Sequence, residues 1–147
     1  MRKCLAFLTI GVICLAWPVQ ALALDATLGF ETQALDLDTG VVTEQIPGLL
    51  DGTDGVDIRM AYHADRIPHA VIVTAGEGVT MAVMSNTNYG IVTAADVAGL
   101  IFLAEAADQP LESTDTVVVI TDTGATFKLG NAVEDDAGVT FSYELLQ

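Results

Sequence analysis

Basic residues are scarce in this 147-residue chain: five lysines and arginines stand against twenty aspartates and glutamates. Nucleic-acid recognition needs clustered lysine and arginine to neutralise phosphates, so that role is excluded. A polybasic membrane-surface role is excluded with it. Cysteine is limited to Cys4 and Cys14, tryptophan to Trp17, and all three fall in the first seventeen residues. Nucleophile and cofactor motifs are also missing. Ser85, Ser113 and Ser142 lie in no Gly-x-Ser-x-Gly elbow, and there is no phosphate-binding loop or zinc-ligand cluster. No catalytic residue is assigned, and a non-enzymatic protein is expected. Apolar residues are not in short supply: at 52% they exclude a disordered acidic tail.

The cysteines belong to a segment that reads as an export signal. Arg2 and Lys3 precede an apolar run from Cys4 to Trp17, and Ala21-Leu22-Ala23 offers small residues around a cleavage position. The run is shorter than a bilayer span requires, and Pro18 and Gln20 follow it. Cys14 follows Val12 and Ile13, not the small residues that a lipidation cysteine needs. Residues 1–23 are therefore expected to be a cleaved signal peptide and residues 24–147 a single β domain. That domain would be periplasmic or extracellular, with no membrane span after cleavage. It would carry three basic side chains, Arg59, Arg66 and Lys128, against twenty acids, and no cysteine for a disulfide or thiolate metal site.

Strand patterns dominate this domain. Val139, Phe141, Tyr143 and Leu145 alternate with polar residues, as do Ala125, Phe127 and Leu129. Val117 to Ile120 is a β-branched run with no polar face, as expected of a central strand covered on both sides. Asp122-Thr123-Gly124 and Asp135-Asp136-Ala137-Gly138 supply the turns, so residues 115–146 are predicted to form a three-stranded antiparallel meander. Nearer the N-terminus, Leu24, Ala26, Leu28 and Phe30 alternate, while Leu35 and Leu37 follow on the other parity, which suggests a bulge near residues 32–34. Asp38-Thr39-Gly40 turns the chain into Val41-Val42, residues 46–55 read as a loop, and Val56 to Tyr62 alternates again. Residues 69–74 and 78–84 flank Gly76-Glu77-Gly78 as a further hairpin. Thr93 to Asp96 reads as a capped helical turn, followed by a strand over 100–103, with a single longer helix across 94–107 as the alternative. The fold class is all-β: an antiparallel sandwich or flattened barrel of about eight or nine strands with at most one short helix.

Two stretches resemble HmuY-like proteins. One is Leu35 to Val42 followed by Val56 to His63; the other is Thr116 to Ile120, Asp122-Thr123-Gly124, Phe127-Lys128-Leu129 and Gly138 to Tyr143. The resemblance implies an exported β-rich fold, in a family whose best-known members scavenge haem. This chain departs from the family in lacking a lipidation cysteine and a long Gly-rich middle section, and in carrying Val56 where tryptophan is usual. The family's haem-ligating histidines do not map by motif onto His63 or His69.

Four constellations could carry chemistry. His63 and His69, six residues apart around Asp65 and Arg66, could ligate haem iron or a transition metal; two histidines of a solvated loop are the plainer reading. Met60, Met81 and Met84 could supply an axial ligand, though methionine more often fills a core. Asp36, Asp38, Asp51, Asp54 and Asp57 could give calcium its oxygen ligands, against the plainer reading of ordinary turn residues. Finally, Asp38-Thr39-Gly40 and Asp122-Thr123-Gly124 spell the aspartic-protease tripeptide, whose chemistry pairs two carboxylates. Each also falls where a hairpin turn accounts for it. The expectation is an exported binding or structural β-module whose protein or small-molecule partner is unknown. Haem or calcium is the possible ligand, and a dimeric protease acting through Asp38 is the remote alternative.

Overall fold

The alternating patterns resolve into two antiparallel sheets in a computed structural model, which describes residues 22–45, 55–63, 70–104 and 109–147. The strands are β1 (Leu24–Leu28), β2 (Gln33–Asp36), β3 (Val41–Glu44), β4 (Ile58–His63), β5 (Ala70–Ala75), β6 (Thr80–Met84), β7 (Leu103–Ala104), β8 (Gln109–Pro110), β9 (Thr116–Ile120), β10 (Thr126–Asp135) and β11 (Gly138–Leu145). One sheet has the order β1-β11-β10-β9-β6-β7 and the other β3-β2-β4-β5-β8. The all-β sandwich is thus as expected, with two-residue strands β7 and β8 added to nine longer ones. Residues 1–21 of the expected signal peptide and residues 46–54 of the expected loop lie outside the described residues.

The meander is present, with Val119 opposite Phe127 and Leu129 opposite Tyr143. Val117 and Val119 point inward from β9 to join Leu28, Leu35, Ile58, Met60, Met81, Leu129, Val139 and Phe141 in the core between the sheets. Met60 and Met81 are therefore core residues. The outer face of β9 and β10 is covered as well. Thr116 Oγ1 donates to the Thr87 carbonyl at 2.8 Å, Lys128 Nζ donates to the Val92 carbonyl at 3.0 Å, and the Tyr89 ring lies on Gly130. Lys128 is only 5% exposed, with Glu144 Oε2 3.2 Å away and the Tyr89 ring centroid at 4.7 Å.

Three local expectations need correction. The parity change after Phe30 is not a bulge. β1 pairs with β11 in one sheet, and β2 pairs with β3 and β4 in the other. The chain crosses between sheets through Glu31, at φ 54°, whose N–H donates to the Met60 carbonyl at 2.9 Å. Gly76 to Gly78 likewise joins no hairpin, because β5 and β6 belong to different sheets. The Gly76 N–H donates to the Asp57 carbonyl at 2.7 Å, and a Cβ there would strike the Val56 backbone. Apolar runs on both sides of a turn satisfy an arch between sheets as well as a ladder within one, so the pattern cannot separate them. After Thr93 the chain makes one helical turn, α1 (Ala94–Val97), but the strand that follows begins only at Leu103 and not at Leu100. The Asp96 carboxylate accepts from both the N–H and the hydroxyl of Thr93, at 2.8 and 2.7 Å, and these bonds lower its pKa.

Candidate functional site

One end of the sandwich collects carboxylates because three connections converge there. β2 ends in Asp36, which organises the turn that follows. Its carbonyl accepts the Gly40 N–H at 2.8 Å, and its carboxylate accepts from the Thr39 N–H at 3.0 Å and the Thr39 hydroxyl at 2.7 Å. Gly40 closes the turn at φ 72°, a conformation that costs a residue with a Cβ. Asp57 stands just before β4 and is tied to the same turn. Its N–H donates to the Leu35 carbonyl at 3.0 Å, and its Oδ2 accepts the Leu37 N–H at 2.7 Å. Ligand-capable oxygens of Asp36, Asp38 and Asp57 lie within 4.8 Å of one another.

The three acids differ in environment. Asp38 is exposed, Asp36 is half-buried, and Asp57 is 3% exposed. Burial raises the Asp57 pKa first of all. The Leu37 N–H opposes it, and Asp38, Asp36 and Asp122 add like-charge repulsion, so that Asp57 is pushed up to about 6. The second Asp-Thr-Gly turn adjoins this cluster, with Thr123 Oγ1 donating to Asp38 Oδ2 at 2.9 Å. Chemically, the arrangement is a set of hard oxygen donors, which suits a divalent cation such as calcium.

Of the residues singled out in the sequence, Asp36, Asp38 and Asp57 come together. Asp51, Asp54 and His69 lie outside the described residues. His63 is the last residue of β4, its backbone paired with Ala70 at the start of β5.

A cleft beside the acids was not foreseen. It has a volume of about 390 Å³ and lies between the start of β1, the turn at Leu37 to Gly40 and the end of β11. Leu37, Phe127 and Tyr143 are among its lining residues. The Phe127 and Tyr143 ring centroids are 6.4 Å apart, and burial raises the Tyr143 pKa. The alternation of β1 and β11 marks Leu24 and Leu145 as sharing the core-facing side, but carries no sign that they stay uncovered.

No protein-family model matches this chain, and no curated protein matches it. Among solved structures it is similar to the crystal structure of the Tannerella forsythia apo HmuY analog (TFO). Identity is 12%, the match covers 86% of this chain and 96% of that one, and the TM-score is 0.47. The likeness is a weak one in the course of the fold.

Proposed function

We propose that this protein is an exported, non-enzymatic binding module whose acidic end holds a divalent cation, calcium being the best fit to its donors. The observation that carries this reading is the meeting of Asp36, Asp38 and Asp57 around one small space, with Asp57 almost fully buried. A buried carboxylate beside two others is costly unless a cation compensates it. Calcium would bind the Asp36–Gly40 turn to Asp57, just before β4, adding a cross-link where the Asp57 N–H already reaches the Leu35 carbonyl and the Asp57 carboxylate the Leu37 N–H. Water would supply the remaining oxygens of a six- to eight-fold shell. In the non-enzymatic reading, both Asp-Thr-Gly tripeptides serve as hairpin turns and Thr123 joins one to the other. A haem-binding role through His63 and His69 has no supporting observation among the described residues.

The test is calorimetric melting of the purified protein with chelator, with calcium and with haem. A ligand that binds only the folded state adds about 2.7 kcal/mol at 100 times its dissociation constant, which raises Tm by several degrees. A calcium-specific rise that Asp38→Asn abolishes supports the reading; identical Tm values in calcium and chelator overturn it.

A further inference from the structure

The two sheets end in four edge strands, β1 and β7 in one, β3 and β8 in the other. An open edge offers unpaired backbone groups to any strand that meets it, and proteins blunt such edges with charge or proline. Three of these edges carry a guard of that kind: β1 has Asp25, β3 has Glu44, and β8 ends in Pro110, which has no N–H to donate. The β7 edge has none. β7 is Leu103-Ala104, and β6 behind it reads Thr80-Met81-Ala82-Val83-Met84. β7 pairs only with Thr80 and Met81, so among the described residues no ladder covers Ala82 to Met84 on that side. The surroundings are apolar and open. Ile101 is 84% exposed and Leu103 48%, with Leu100 and Phe102 half-buried beside them. Leu103 stands opposite Met81, a core residue, so it carries the inward face out to the rim of the sandwich. From Gly78 to Ala104 the sole charged side chain is Asp96, in a chain of formal charge −15. Its carboxylate is turned back onto Thr93.

We propose that this edge, formed by β7, the residues leading into it and the uncovered end of β6, pairs with the same edge of a second copy. The two six-stranded sheets then continue into one another across a two-fold axis. Antiparallel pairing is self-complementary about such an axis, so it closes at a dimer and does not propagate. Charge selects both the face and the occupant. Two copies of so acidic a chain repel wherever their acids meet, and this is the stretch where acids are fewest. The exposed side chains of Ile101 and Leu103 are covered in the same step. A lipid surface is the other apolar occupant, but hydrocarbon would leave the backbone groups of the edge unpaired. The pairing draws on none of the carboxylates assigned to calcium.

The experiment sediments the purified protein over a range of concentrations, in chelator, at low and at high salt. The mass should double with concentration and rise no further. High salt should favour the dimer, because it screens the acids. Hydrogen exchange followed by nuclear magnetic resonance should slow with concentration at amides among residues 82–84 and 101–104. Ile101→Lys sets a charge on the exposed edge and should weaken association about ten-fold or more, although lysine lowers the net negative charge that opposes it. Val133→Lys makes the same charge change at a valine of β10 that is 64% exposed, and should leave the dimer intact. Melting curves verify that both variants fold. Four results would overturn the proposal: a monomer at every concentration in high salt, growth beyond two copies, a dimer in which those amides exchange as they do in the monomer, or a dimer that Ile101→Lys leaves as tight. A monomer that instead binds phosphatidylcholine vesicles would give the face to lipid and overturn it likewise. Because chelator is present throughout, a missing calcium response would count against the divalent-cation reading and leave this one standing.

Discussion

Asp38-Thr39-Gly40 and Asp122-Thr123-Gly124 are the same tripeptide, yet the protein builds two different turns from them. In the first, the Gly40 N–H reaches back four residues to the Asp36 carbonyl, and the Asp36 carboxylate caps Thr39. In the second, the Gly124 N–H reaches back three residues to the Thr121 carbonyl, and the Thr121 hydroxyl accepts the Ala125 N–H at 3.2 Å. The residues ahead of the tripeptide differ: Asp36 and Leu37 precede the first turn, Ile120 and Thr121 the second. The Asp36 carboxylate, with Asp57 beside it, gives the first turn the donors of the proposed cation site, where the second turn has the Thr121 hydroxyl. The two touch through Thr123 and Asp38, so the difference between them can be probed within one molecule.

The largest expected effect separates Asp57 from every other acid near the turns. The folded state holds its proton more tightly than the unfolded chain does, at about 6 against an ordinary 3.8. Its stabilising contribution is therefore complete below about 3.8 and lost as pH rises through about 6. In chelator, this loss amounts to roughly 3 kcal/mol. Asp57→Asn retains an acceptor for the Leu37 N–H and carries no proton to lose. Denaturant unfolding between pH 4 and pH 8 should show the decline in the parent and not in the variant. Parallel profiles would remove Asp57 as its source.

Calcium should distinguish the two turns next. Asp36→Asn and Asp38→Asn should each abolish the calcium-dependent rise in Tm, worth about 2.7 kcal/mol at 100 times the dissociation constant. Asp122→Asn should leave it nearly intact. An equal loss from Asp122→Asn would spread the site over both turns.

Smaller effects probe the turn backbones. Both glycines have positive φ, 72° at Gly40 and 87° at Gly124, so alanine at either should cost about 1–2 kcal/mol. Gly40→Ala should be the worse of the two, because its Cβ would stand 3.2 Å from the Tyr143 hydroxyl while nothing lies within 4 Å at Gly124. Chemical denaturation of the pair checks the order; equal costs would mean that Tyr143 yields freely. Last, Thr123→Val removes an exposed hydrogen bond to Asp38 and should cost about 0.5–1 kcal/mol. A double-mutant cycle with Asp38→Asn measures how far the two turns are coupled.

Much of the fold was legible because period two is a local signal. The meander could be placed from Phe127, Leu129, Phe141 and Tyr143 alone, and Val117 to Ile120 advertised a strand buried on both faces. Sheet membership was not legible in the same way. Glu31 and Gly76 sit where the chain changes sheets, and the alternation around them equally suits a bulge or a hairpin. For the site, the five aspartates proposed as ligands contained the three that meet, but their spacing gave no ground for preferring Asp57. Its selection depends on β4 pairing with β2, a contact between residues some twenty positions apart.

By itself, the sequence determined the all-β class, the acidic character and the positions of the turns, because side-chain alternation, net charge and turn chemistry are properties of neighbouring residues. Tertiary structure alone decided which strands share a sheet, which carboxylates meet and where inward-facing leucines stay uncovered. Those outcomes depend on long-range pairing, which brings together groups whose separation along the chain carries no trace of their distance in space.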